Sequence, residues 1–533
     1  MSGTGVGFSC EQQNIQALPR FPKLVNDIEN VIVVDDSKLG WALAFRMLFE
    51  TCLVGLEPHF NYNQIRPAGA PLKTMGGRAS GPEPLKKLFD YTVSLIKQAA
   101  GRAFTCEEVH SLVCNIAEIV VVGGVRRSAL ISLSDLANKD MRDLKSGFTW
   151  YNARPYLAMS NNSAVYTNAC SYDDFSSEWD SLVKGCSGER GIFNRDAHTE
   201  IAQRNGRRNT NGHRYGTNPC SEIILRSCQF CNLTEVVIRA TDTFEDVKRK
   251  VEIATVIGTL QSMHTNFPFL SPLWKQNCEE ERLLGVSFTG ICDNLFFSDA
   301  SNPELLASLR TLREHAITVN KRLAGLLHIN PSAAITCVKP SGTVSQLVNC
   351  ASGIHPRYAP YYIRRVRCDK KDPLYEYLSK AGVPVEDEAQ RPTSTAVFSF
   401  PIAAPENAKV SDTFTAVDQL RLWRIYQDAW CEHKPSCSIY VRSHEWDTIK
   451  EWVWKHFPIV SGLSFFPYSD SIYKQAPYEQ ITRDQYLELC KRIPSLNWND
   501  LDAFDRKSLS ITTRGKFTIS CAGANCEIVD ITP

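Results

Sequence analysis

No apolar run in the 533 residues approaches the eighteen or so that a membrane-spanning helix needs. The first residues, Met1-Ser2-Gly3-Thr4-Gly5, lack a basic stretch followed by an apolar core and do not read as a secretory leader. No excess of one charge is present. Lys plus Arg is 59 against 58 Asp plus Glu, a net charge of +1. A protein that coats nucleic acid carries a basic surplus, so direct nucleic-acid binding is not expected. A second CxxC is missing beside Cys228-x-x-Cys231, and a structural zinc site needs a second ligand pair. No metal is expected. Internal repeats and low-complexity blocks are absent too.

Cysteine is abundant: nineteen residues, odd in number and scattered along a long chain. A disulfide-stapled secreted protein is shorter and denser in Cys. The pattern reads as mostly free thiols in a reducing, cytoplasmic compartment, with a minority doing redox work.

Residues 80–101 read as a helix with Leu85, Leu88, Phe89, Thr92 and Ile96 on one face and Gly101 at its end. A second helix starts at Thr105, with Glu108 completing a capping box, and runs toward Gly123-Gly124. Ser128–Ser134 alternates like a strand; 397–402 and 438–441 are further β-rich runs. Helices are expected at 304–328 and 415–430. Helices alternating with short buried strands predict an α/β architecture. Residues 1–9 read as a Gly-rich turn. One catalytic domain is expected over 1–500, with a peripheral insertion at about 368–415 and a polar, mobile tail over 501–533.

Several constellations could carry chemistry. Asn218-Pro219 predicts a turn that puts Cys220 at a loop tip, with the carboxylate of Glu222 two residues on. The same residues also read as a buried apolar Cys beside a capping Glu. Cys228 and Cys231 form either a dithiol or a chance spacing. Cys521 and Cys526, separated by small residues in the tail, read as a redox-exchange pair, or as two idle thiols. Lys339-Pro340-Ser341-Gly342-Thr343 is a turn suited to phosphate, or a plain helix cap. Gly123-Gly124-Val125-Arg126-Arg127 suits an anionic or planar ligand, or is a solvated turn.

Taken in order, these segments resemble the class II ribonucleotide reductases, and within them the monomeric adenosylcobalamin-dependent branch that acts on ribonucleoside triphosphates. The matching motifs are G-x-G-V-G-F-S at 3–9, I-R-P-x-G-A at 65–70, G-G-x-A-S-G-P at 76–82 and V-R-R-S-A at 125–129. S-N-N-S at 160–163, T-N-P-C-x-E-I at 217–223, C-N-L at 231–233, V-K-P-S-G-T-V at 338–344 and the terminal C-x-x-x-x-C follow. The resemblance spans essentially the whole chain. It implies a ten-stranded α/β barrel around a central finger loop, incomplete at its N-terminus because the family has a further segment before the Gly-rich loop. That segment carries the family's second reducing cysteine, and Cys10 does not match its motif.

The resemblance also implies roles. Cys220 resembles the thiyl-radical cysteine, Glu222 the base, Asn218 the amide on the ribose hydroxyls and Cys231 one of the two reducing cysteines. Ser341, Gly342 and Thr343 resemble the phosphate turn. Gly124, Arg126 and Arg127 lie in the loop between effector and substrate base. Cys521 and Cys526 resemble the shuttle pair. Adenosylcobalamin is the implied cofactor. The implied partners are a ribonucleoside triphosphate, a deoxynucleotide or ATP effector and a thioredoxin-like reductant, acting on a monomer. A glycyl-radical segment of the type R-V-x-G-[YF] is absent, and Asp196-Ala197-His198 lacks the Gly of an Asp-x-His-x-x-Gly cobalamin motif. Tyr361-Tyr362 reads as packing. The competing class is a non-catalytic nucleotide-binding paralogue of the same fold.

Overall fold

A computed structural model of the chain describes residues 4–70, 79–122, 125–126, 128–147, 149–370, 372–389, 392–468, 474–501, 521–522 and 525–526. Nine strands, labelled in chain order, surround the site. They are β1 Gly5–Ser9, β2 Ala129–Asp135, β3 Ser160–Tyr166, β4 Gly191–Asn194, β5 Asn232–Val237, β6 Leu284–Thr289, β7 Thr336–Cys337, β8 Cys437–Val441 and β9 Leu463–Pro467. β1 to β4 pair in parallel, with Gly7 opposite Ile131, Leu133 opposite Ser163 and Ala164 opposite Ile192. β4 meets β9 antiparallel at Ile192 and Leu463, and β9 runs parallel to β8. β5, β6 and β7 form a second parallel set. A single parallel bridge between Val338 and Pro435 joins the two sets.

The order is therefore β1-β2-β3-β4-β9-β8-β7-β6-β5, with one antiparallel junction, at β4 and β9. The architecture is α/β, as expected. Among the described residues the line does not close into a ring: β1 and β5 each keep one unpaired edge. The Gly-rich stretch read as a turn is the strand β1 over residues 5–9. Glycine spacing suggested a loop; the close passage of another segment, described below, is what requires small residues in this strand.

Helices cover the strands because their apolar stripes match the inward positions. The helix Pro303–Leu327 is capped by Asn302, whose side chain accepts from Glu304 N, and it buries Leu305, Leu309, Leu312, Ala316 and Val319. These positions lie three or four residues apart, on one face. Leu305, Leu309, Leu312 and Ala316 pack with Val286, Phe288, Trp423, Tyr426 and Trp430 in the largest core cluster. Phe288 and Trp430 stack with centroids 4.1 Å apart. Each such fully buried side chain contributes about 1.5–3 kcal/mol. The helix expected over 80–101 spans Glu83–Gln98, and the capping box at Thr105 and Glu108 opens a helix that ends at Glu118, before the glycines.

The β-rich run near 397–402 lies in a separate antiparallel sheet, where Thr395–Ala403 pairs with Tyr361–Asp369. Val385–Asp387 and Tyr478–Gln480 complete that sheet. Tyr362 is buried there, its hydroxyl accepting from Arg357. Among the described residues no helix is long and apolar enough to cross a membrane.

Candidate active site

A short antiparallel hairpin, Gly216–Thr217 with Ile224–Leu225, carries the loop 218–223. The loop is shaped by its own side chains. Asn218 accepts from Ile223 N at 3.1 Å through Oδ1 and donates to Glu222 Oε1 at 2.7 Å through Nδ2. Ser221 N donates to Asn218 O at 2.9 Å, and Ser221 takes φ 64°, the left-handed region. Asn and Pro start the turn because the Asn side chain replaces backbone partners that a tight turn leaves unmade. Cys220 therefore stands at the tip, as expected.

This finger is clasped from both sides. Asn161 on β3 donates to Pro219 O at 3.0 Å. On the other side the segment that leads into β8 runs along it. Ser436 Oγ donates to Cys220 O, Lys434 N donates to Glu222 O at 3.0 Å, and Ile224 N donates to His433 Nδ1 at 3.2 Å. β1 lies beneath. A Cβ placed on Gly7 would sit 1.9 Å from Thr217 O, so any side chain there would push the finger away. At the finger's base, Arg195 holds both oxygens of Glu11 at 2.6 and 2.8 Å and donates to Tyr215 O at 3.1 Å. Arg214 adds a contact to Glu11 at 3.0 Å.

The chemistry gathers at the tip. Glu222 is fully buried, and its second oxygen, Oε2, has no hydrogen-bond partner. A buried, unpaired acceptor is costly unless a donor arrives to meet it. Lys339, just before the Ser341 turn, donates to Cys220 Sγ at 3.3 Å and approaches Glu222 Oε1 to 3.8 Å. Burial, and then the charge of Glu222, push the Cys220 thiol above its ordinary value, while Lys339 pulls the other way. Burial works against the Lys339 ammonium, but Glu222 and Cys220 hold it above the ordinary lysine value. The arrangement keeps Cys220 as a neutral S–H beside a carboxylate acceptor. A neutral thiol is a source of a hydrogen atom; a thiolate is a nucleophile.

Cys231 immediately precedes β5, and burial followed by Glu222 pushes its thiol well up. Two other sulfurs lie near. Cys278 accepts from Phe230 N at 3.2 Å, and the buried Cys337 ends β7. Cys228 and Cys231 are both free thiols. Ser341 is buried, with its Oγ accepting from Ser345 N at 3.0 Å. Gly342 and Thr343 are exposed at the head of the short helix Val344–Leu347. The structure thus gathers Cys220, Glu222 and Asn218 on one loop, with Asn218 bonded to Glu222, and joins Cys220 to Lys339, just before the Ser341 turn. Arg126 lies in a two-residue hairpin strand paired with Val121. Its side chain, Gly124 and Arg127 are outside the described residues. The backbone of Cys521 pairs with that of Cys526, and their side chains too are outside them.

Sequence reasoning missed Lys339, Asn161, Lys434 and Ser436 as site residues. The first two sit inside quoted motifs, so their signal was available. The last two have none, because nothing local ties 434–436 to a loop more than two hundred residues earlier.

No family model matches the chain. It is 29% identical over 506 residues to the adenosylcobalamin-dependent ribonucleoside-triphosphate reductase of Euglena gracilis, covering 92% of this chain and 66% of that protein. A probable enzyme of the same name from Dictyostelium discoideum is 28% identical over 524 residues, covering 94% and 64%. That of Lactobacillus leichmannii is 26% identical over 606 residues, covering 99% and 79%. The chain spans about two thirds of the length of the first two relatives. Among solved structures it is similar to a B-12 dependent (class II) ribonucleotide reductase, with TM-score 0.76 and 22% identity over 96% of this chain and 78% of that one. That likeness carries the fold.

Proposed function

We infer that this chain, a relative of the adenosylcobalamin-dependent ribonucleoside-triphosphate reductases, reduces ribonucleoside triphosphates to 2′-deoxyribonucleoside triphosphates by thiyl-radical chemistry at Cys220. The observation that carries this reading is the tip itself. A neutral thiol and a buried carboxylate with one unpaired oxygen are held side by side by Asn218 and Lys339.

Each group then has a task. Adenosylcobalamin supplies, when bound, the radical that takes the hydrogen from Cys220. Cys220 is the residue that fits it, a partly buried neutral sulfur at a loop tip. The Cys220 sulfur abstracts the C3′ hydrogen of the ribose. Glu222 Oε2 accepts the 3′-OH proton, and Asn218 holds the hydroxyls. The 2′-OH leaves as water. Cys231 and a second thiol supply two electrons and two hydrogens, one leaving in that water and one ending at C2′, and their sulfurs join as a disulfide. The returned hydrogen at C3′ regenerates the sulfur radical. Cys521 and Cys526 exchange with that disulfide and are reduced in turn by a thioredoxin-like protein. Ser341, Gly342 and Thr343 receive the phosphates, with exposed backbone at a helix start. Gly124, Arg126 and Arg127 relay a deoxynucleotide or ATP effector to the base site. The nine strands belong to a ten-stranded barrel with the finger at its centre, in a cytoplasmic monomer. The non-catalytic alternative gains no support, because Cys220, Glu222 and Asn218 remain assembled.

The test is a reduction assay with CTP, adenosylcobalamin and dithiothreitol, on this chain and on an N-terminally extended one. Deoxy-CTP and cofactor-linked hydrogen exchange are expected. Cys220→Ser should abolish both, and normal exchange in that variant removes Cys220 from its role.

A further inference from the structure

Behind the finger lies a buried titratable group that the chemistry above does not use. Lys434 is fully buried, and among the described residues no carboxylate touches its amine. We propose that Lys434 is a positioning residue: as an ammonium it latches the Cys220–Glu222 loop through Ser221, and it releases the loop when it loses its proton. The effect on turnover rests on the function proposed above; the latch itself does not.

Three acceptors surround the amine. Nζ donates to Ser221 Oγ at 3.1 Å and to Ser461 Oγ at 3.2 Å, and it is in hydrogen-bond contact with His198 Nε2. His198 Nδ1 donates to Asn194 O at 2.7 Å, which leaves Nε2 with a lone pair facing the lysine. An ammonium has three N–H groups for these three partners. A neutral amine has two, so one partner loses its donor. Phe193 presents its ring 5.8 Å from Nζ, which also favours the cation. The backbone N–H of Lys434 itself already donates to Glu222 O. Gly462, at φ 77°, makes the room: a Cβ there would lie 3.1 Å from Ser221 O and 3.6 Å from Nζ.

Burial works against the ammonium and sets Lys434 well below the ordinary lysine value, with the charge of Glu222 pulling it back up. The other groups that face it are accounted for. His198, from the helix Arg195–Arg204, is kept uncharged by burial and by Lys434, with Arg195 and Arg208 acting the same way. Neighbouring His433 is kept uncharged by burial. The sign follows. A lysine with a lowered value is charged at lower pH and becomes neutral as pH rises, before an ordinary lysine would. Cys220 and Lys339 are both held above their ordinary values, so neither adds an alkaline step below its ordinary value.

The experiment is hydrogen–deuterium exchange of peptides spanning 216–225, corrected for intrinsic rate, from about pH 5 to about pH 10, on the parent and on Lys434→Met. In the parent, protection of the finger should fall about tenfold on the alkaline side, as expected for losing a hydrogen bond from a charged donor. In K434M protection should be low throughout, with no alkaline step. Turnover with CTP should follow protection: an alkaline loss in the parent, and in the variant a uniform rate about tenfold lower. Finger protection in K434M equal to the parent, or the same alkaline step in both, overturns the proposal. A parent that never reduces CTP overturns the proposed function instead, and exchange still decides the latch. Should K434M fail to fold, Ser221→Ala removes the loop-side acceptor without emptying the core. It should lose the same protection, and parent-like protection in S221A overturns the latch.

Discussion

At the base of the finger a cluster of ion pairs runs from a nearly buried Glu11 out to a half-exposed Arg214; at its tip the partners are buried and act mostly through hydrogen bonds to the loop. Glu11, Arg195 and Arg214 fix the chain at Tyr215, where it enters the hairpin, and the Arg214 side chain is 56% exposed. Asn218, Glu222, Ser436 and Lys434 fix the tip, and the last three are buried. The half-exposed Arg214 pair is screened and adds modest stability, whereas the nearly buried Glu11–Arg195 pair is costly to break. Buried hydrogen bonds are worth more because their loss leaves a desolvated group unpaired. The base therefore holds the position of the finger, with one contact to spare, and the tip sets the geometry of the reacting groups. The radical chemistry proposed at Cys220 fits that division, since the reacting sulfur has to be shielded.

The largest effect is expected at the tip. Glu222→Gln keeps the size and the contact with Asn218 but removes the proton acceptor. Turnover should drop by about 10²–10⁴-fold, the usual worth of general acid–base help, with unfolding temperature nearly unchanged. The check is steady-state rate beside calorimetry. Turnover within a few-fold of the parent would make Glu222 a structural residue and erase the contrast between tip and base.

Glu11→Gln tests the base and should reverse the pattern, costing stability more than rate. Arg195 holds both oxygens of Glu11, and the carboxylate is nearly buried. Burial opposes its charge, but the Arg195 contacts hold Glu11 below the ordinary carboxylate value. The loss should be about 2–4 kcal/mol at neutral pH. A lowered carboxylate gives stability that is present above its unfolded value and lost as pH falls through the folded one. The gap between parent and E11Q, measured by urea unfolding, should thus close in acid, below about pH 4. A gap that persists there would mean packing, not charge, holds the base.

How much of this was legible in the sequence follows the same division. The turn at Asn218-Pro219 and the capping box at Thr105 were readable because their partners lie within a few residues. The helix over Glu83–Gln98 was readable from its apolar spacing. Nonlocal partners were not. Nothing near Ile192 says that β4 pairs antiparallel with Leu463, and β7 is too short, at two residues, to show a period. The glycines of β1 were read as a turn because glycine usually marks one; the cause is the finger two hundred residues on, with Thr217 O over Gly7 and the Pro219 ring over Gly5. The resemblance supplied roles for Cys220, Glu222 and Cys231 that their spacing alone left open.

The smallest effect is expected for Arg214→Ala. Its contact with Glu11 duplicates one that Arg195 already makes to the same oxygen, Oε1. It also touches Gln13. A half-exposed ion pair that repeats an existing contact should contribute less than about 1 kcal/mol. It also lies within reach of salt, since exposed charges are largely screened over about 3 Å at 1 M ionic strength. The difference in unfolding free energy between parent and R214A should therefore be small in dilute buffer and vanish in about 1 M salt. Turnover should not change, because no tip residue depends on Arg214. A loss of rate without a loss of stability would show that the base transmits geometry to Cys220, and the two ends of the finger would then be one rigid unit rather than two independently held ones.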